Sequence, residues 1–115
     1  ELQRLAKLER CIDLAGQTDV ETLAAVASQC QLFVCPDSGP MHVAAAAGCK
    51  IIAIYALAED FPKRWAPFTP HKVVIRPTPT GCPPNCLKGT CPDFRCYRSV
   101  TTCEVVAAAR SLLET

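Results

Sequence analysis

The nine residues Val34-Cys35-Pro36-Asp37-Ser38-Gly39-Pro40-Met41-His42 hold the parts of an anion site. An apolar run ends on a carboxylate and a hydroxyl, and a glycine then leaves the backbone open to a ligand. Pro40 suits a first helical turn, where its missing N–H leaves nothing unpaired. The free amides of such a turn, with the helix dipole behind them, favour a phosphate. His42 falls in the same turn, and helical side chains lean toward the N-terminus, so its imidazole reaches back toward a bound anion. The same residues also make an ordinary cap: Asp-Ser-Gly is common at helix starts, and a histidine there can bond the backbone. The stretch is neither a P-loop nor a G-x-G-x-x-G turn, so local chemistry leaves both alternatives open.

A second constellation is Cys82-x3-Cys86-x4-Cys91-x4-Cys96, four soft ligands within fifteen residues. Tetrahedral Zn²⁺ takes such a set, and a proline-rich loop without its own core would gain order from it. An iron–sulfur cluster, two disulfides in any of three connectivities, or four reduced thiols satisfy the same spacing. Arg76, Lys88, Arg95 and Arg98 against Asp93 give this segment a local excess of positive charge. It is either a solvated face or a surface for an anionic acceptor or membrane.

The elements that must position these groups belong to a chain of 115 residues, the size of one core. Half the residues are hydrophobic and 20% are charged, a globular balance that argues against disorder. The net charge of +1 shows no nucleic-acid footprint. The longest apolar runs, Val43 to Cys49 and Ile51 to Ala58, fall far short of a membrane span of about 20 residues, and no leader pattern opens the sequence. Nine cysteines would suit a secreted scaffold. Their odd number and their distribution point instead to a reducing compartment, with Cys11, Cys30, Cys35 and Cys49 in or beside apolar segments as small hydrophobes.

Helix and strand alternate along the chain. Leu2, Leu5 and Leu8 have helical spacing, and Cys11 to Leu14 reads as a short strand closed by Gly16. Thr18 and Glu21 have capping-box spacing ahead of a helix carrying Leu23, Val26 and Ala27. Leu32 to Cys35 has the continuous apolar character of a strand buried on both faces. A helix from Met41 to Ala47 should end at Gly48, and strands follow at Ile51 to Tyr55 and Val73 to Ile75. Thr101 with Glu104 forms a second candidate capping box, opening a last helix through Leu113. The expectation is a three-layer α/β fold on a mainly parallel, Rossmann-like sheet, beginning after its first strands, with residues 76–98 inserted before the last helix.

The run Asp37-Ser-Gly-Pro-Met-His42-Val-Ala-Ala-Ala-Ala-Gly48 resembles the signature of glycosyltransferase family 9, the ADP-heptose:lipopolysaccharide heptosyltransferases. Asp13-Leu-Ala-Gly-Gln-Thr18 resembles the family's strand and turn before its nucleotide-contacting helix. Arg64-Trp65-Ala66-Pro67 is similar to its Arg-Trp-Gly-Pro segment, and the cysteine loop running into Tyr97-Arg98-Ser99-Val100-Thr101 is similar to its cysteine-rich variant.

The resemblance implies a GT-B enzyme of two Rossmann-like domains, with residues 1–115 as most of the C-terminal, donor-binding domain. Asp37, Ser38, Gly39 and His42 would then contact an ADP-heptose-like nucleoside-diphosphate sugar, and Thr18 would lie by the adenine. The acceptor would be a lipopolysaccharide core or related lipid-linked glycan, in the cytoplasm at the inner face of the inner membrane. The family's catalytic carboxylate, its Thr/Lys phosphate grip and its ribose-facing acid have no counterpart here, so this chain alone is expected to transfer no sugar. Ala56-Leu57-Ala58 replaces the usual Gly-Pro-Thr, which leaves the donor sugar open. The alternatives are a non-catalytic, metal-stabilised α/β binding module and a secreted disulfide protein.

Overall fold

The computed structural model describes residues 7, 10–55, 64–77, 91 and 94–115. In chain order they form α1 (Val20–Gln29), β1 (Phe33–Pro36), α2 (Gly39–Ala46), β2 (Ile51–Ile54), β3 (Lys72–Ile75), α3 (Arg95–Arg98) and α4 (Thr102–Leu113). The three strands make one parallel sheet in the order β1-β2-β3, with Ile52 opposite Val34 on one side and Val73 on the other.

Alternation along β2 divides the core. Ile51, Ala53 and Tyr55 pack with Ala27 of α1 and Met41, Ala44 and Ala45 of α2. Ile52 belongs to the opposite face, where it meets Ile75 and Leu112 of α4. Successive strand side chains point to opposite faces, so a strand carrying Ile-Ile-Ala-Ile must be covered twice, and helices on both sides supply the three layers. Lys50 ties the far end of α4 to the sheet by donating from Nζ to the Leu112 carbonyl at 2.7 Å.

The helix boundaries follow local chemistry. In α4 the reciprocal box forms: Thr101 Oγ1 accepts from the Glu104 amide at 3.3 Å, and Glu104 accepts from the Thr101 amide at 2.7 Å. These bonds hold the Glu104 carboxyl below its usual range. Gly48, at φ +83°, ends α2 in the left-handed conformation that glycine adopts without a Cβ clash.

Four expectations need correction. Thr18 and Glu21 form no capping box; the cap of α1 is Asp19, whose Oδ1 accepts from the Thr22 amide at 2.7 Å and whose carboxyl is thereby lowered. A carboxylate out-competes a hydroxyl for a first-turn amide because the bond is charge-assisted. Cys11 to Leu14 is not a strand: it has no ladder partner among the described residues, and Ile12 is 83% exposed. β1 is covered on one face only, with Cys35 buried and Val34 49% exposed. Cys11 and Cys30 are exposed rather than packed, while Cys35 and Cys49 are buried as expected. The Leu2–Leu8 helix, apart from residue 7, and the 56–58 loop lie outside the described residues.

Candidate functional site

Parallel strands bring their carboxyl ends to one edge, the place where such sheets bind ligands. β1 runs out at Pro36, and the Asp37 amide extends the ladder by one bond, donating to the Ile54 carbonyl at 3.2 Å. Ser38 is extended (φ −161°, ψ 168°) as the N-cap of α2, and Pro40 occupies the first turn. The Ser38 hydroxyl does not cap the helix. It donates backwards to the Pro36 carbonyl at 3.3 Å. α1 and α4 instead begin on amides bonded to the side chains of Asp19 and Thr101.

Gly39 has ordinary negative φ, and a Cβ built on it meets nothing within 4 Å. The fold therefore does not require glycine there; the space in front of it is open. Met41, with no exposed surface, anchors the turn in the core, and His42 beside it is exposed. Asp37, Ser38, Gly39 and His42 are thus brought together on one turn at the sheet edge. Thr18 lies ahead of α1, exposed, and no hydrogen bond joins it to that turn. Its hydroxyl, relieved of the capping role, makes no bond within the protein among the described residues.

Two tyrosines flank the turn. Tyr55 follows β2, donates its hydroxyl to the Trp65 carbonyl at 2.9 Å and lies 3.8 Å from Met41 Sδ. It thereby fastens the Arg64-Trp65-Ala66-Pro67 corner to the helix that opens the site, with the Arg64 guanidinium 5.8 Å from the Trp65 ring centroid. Tyr97, on α3, contributes to a cleft with Ile54 and the start of α4. Burial pushes both phenols up, helped by Asp37 and then Cys35 at Tyr55 and by Cys96 and then Asp37 at Tyr97. Both hydroxyls therefore stay protonated at neutral pH. Neither tyrosine emerges from residue spacing; the available signal is a hydroxylated aromatic just past a strand end or just before a helix at the carboxyl edge.

The cysteine constellation is only partly described. Cys82 and Cys86 lie outside the described residues, as does Lys88 of the basic segment. Cys91 and Cys96 are half-buried, and Cys91 Sγ accepts the Phe94 amide at 3.2 Å. Among the described residues, no group of three or more His, Cys, Asp or Glu side chains is placed to hold a metal. Phe94 takes a left-handed conformation (φ 48°) ahead of α3. No helix among the described residues is long and apolar enough to cross a membrane.

Known proteins carry this sequence pattern. The lipooligosaccharide heptosyltransferase 2 of Campylobacter jejuni is 28% identical over 104 residues, which cover 89% of this chain and 32% of that protein. The lipopolysaccharide core heptosyltransferase OpsX of Haemophilus influenzae is 39% identical over 56 residues, covering 49% of this chain and 16% of that one. A lipooligosaccharide heptosyltransferase 2 from Haemophilus ducreyi is 37% identical over 68 residues, 57% of this chain and 19% of its own length. The chain thus spans a third or less of the length of these relatives. No solved structure matches. The family pattern itself runs through residues 1–93, taking in both the Asp37–His42 turn and the Arg64–Pro67 corner that Tyr55 joins, and the chain belongs to glycosyltransferase family 9, the heptosyltransferases.

Proposed function

We propose that residues 1–115 form the donor-binding part of a GT-B heptosyltransferase, taking an ADP-heptose-like nucleotide sugar through the Asp37–His42 turn. The observation that carries this is the opening of α2. Its serine cap turns away from the first-turn amides, and a glycine stands clear of every neighbour. Amides arranged in this way, with His42 beside them, suit a diphosphate and stabilise the charge that develops on it as a sugar departs. The names of the similar proteins, heptosyltransferases of lipopolysaccharide or lipooligosaccharide, support heptose as the group transferred and a lipopolysaccharide core as acceptor. Thr18, with its hydroxyl free of the capping role, is assigned to the nucleobase side. The base that deprotonates the acceptor belongs to a partner domain of GT-B type, and the work is done in the cytoplasm.

Titration of the isotope-labelled chain with ADP tests this. The amides of Asp37, Ser38, Gly39, Met41 and His42 are expected to shift, with millimolar affinity or better. Unmoved amides at millimolar ADP would overturn donor binding by this turn.

Zinc at Cys82, Cys86, Cys91 and Cys96 belongs to the same proposal. Its support is the Phe94 amide donated to Cys91 Sγ, a bond that fixes the orientation of this sulfur. Alkylation at pH 7.5 with mass-spectrometric mapping checks it together with the buried thiols. Exposed Cys11, Cys30 and Cys103 are expected to react first. Cys35, pushed up to about 11 by burial and then by Asp37 and Cys49, is expected to stay unmodified. Cys49, raised chiefly by burial and next by Cys30, is expected to do the same. Cys91 and Cys96 should react only after a chelator is added; equal labelling without chelator would remove the zinc site.

A further inference from the structure

We infer that the cleft between the end of β2 and the start of α4 receives the glycosyl part of the donor, with Tyr97 selecting the sugar. The inference rests on donor binding by the Asp37–His42 turn. The cleft has a volume of about 280 Å³ and is lined by Ile54, Tyr97, Val100, Thr101, Thr102 and Val105. It begins one peptide from the turn, because the carbonyl of its wall residue Ile54 holds the Asp37 amide.

The lining decides what fits. Ile54, Val100 and Val105 offer an aliphatic surface for C–H groups. The hydroxyls of Tyr97 and Thr102 make no hydrogen bond to the protein among the described residues and are left to serve a ligand. Apolar walls set with a few unpaired hydroxyls complement a sugar ring, which alternates C–H faces with hydroxyl edges. A phosphate is disfavoured: Glu104 already closes the start of α4 with a carboxylate, and among the described residues no cationic side chain lines the cleft. The volume lies just below the range of about 300–1,000 Å³ for ligand pockets. It suits a monosaccharide. Diphosphate at α2 and sugar at α4 therefore divide one donor between two neighbouring helix starts, one left open by its serine and the other already capped.

The test compares ADP with ADP-heptose on the 115-residue chain by amide shifts and calorimetry. ADP alone is expected to move residues 37–42, and ADP-heptose to move residues 97–105 in addition. Tyr97→Phe should keep the circular dichroism of the parent, since its hydroxyl makes no bond to the described residues of the fold. It should leave ADP affinity within about twofold and weaken ADP-heptose about fivefold, the effect of one hydrogen bond. Shifts at 37–42 with identical responses at 97–105 to both ligands would overturn the sugar cleft and leave the donor turn standing. So would equal losses of ADP and ADP-heptose binding in Tyr97→Phe, which would mark a structural role. Silence at residues 37–42 toward both ligands would overturn the donor turn and the cleft together.

Discussion

Gly39→Val is expected to abolish ADP binding, at least a tenfold loss by calorimetry, in a chain that unfolds in urea close to the parent midpoint. The two halves of that result have separate causes. Gly39 has ordinary backbone geometry, and nothing stands within 4 Å of a Cβ placed there, so the folded chain accommodates the branched side chain. Its position in the first turn spares it the crowding against a preceding turn that costs β-branched residues inside helices. The ligand has no such freedom. A phosphate bonded to the first-turn amides approaches the backbone to hydrogen-bond distance, where two added methyl groups would stand in its way. Gly48→Ala supplies the contrast. It also has open space, but at φ +83° a Cβ is strained, so about 1 kcal/mol of stability should go while ADP binding stays. Undiminished ADP affinity in Gly39→Val would mean that no ligand approaches this turn.

The contrast between the two glycines shows what the sequence carried and what it withheld. The apolar run ending at Asp37-Ser38-Gly39-Pro40 placed the turn at a strand end and a helix start, and the parallel sheet confirms both. The Thr101–Glu104 spacing was sufficient because no other carboxylate competes for that amide. At Thr18 it failed for the opposite reason: Asp19, one residue on, offers a stronger acceptor to the same turn. Cys11 to Leu14 looked like a strand because apolar character was visible, but a strand exists only through a partner, and pairing is not local information. The exposure of Val34 was hidden for the same reason, since an apolar run does not say how many of its faces are covered. Tyr55 and Tyr97 were the largest gap in the site. Each matters through residues at least ten positions away or on another element: Trp65 and Met41 for Tyr55, Ile54 and Asp37 for Tyr97. Spacing rules cannot reach such pairs.

Ile52→Ala is expected to cost about 2–5 kcal/mol in urea unfolding, the largest stability effect of any single truncation considered. Ile52 has no exposed surface and sits in the middle strand, with Val34 and Val73 as its row partners. It is also the sheet's central contribution to the layer shared with Ile75 and Leu112. A cavity there is bounded by β-strands on two sides and by a helix that Lys50 pins at Leu112, so little of it can collapse. Small domains have only about 5–15 kcal/mol in total, so this one change removes a large share. Ile54, two residues on, belongs to the same layer and reaches the cleft wall, so loosened packing of α4 should also lower ADP-heptose affinity more than ADP affinity. Val34→Ala, on the same row of the sheet, should cost under about 1 kcal/mol because half of that side chain is already in water. Comparable losses at Val34 and Ile52 would contradict the open face of β1 and require that another chain cover it in solution.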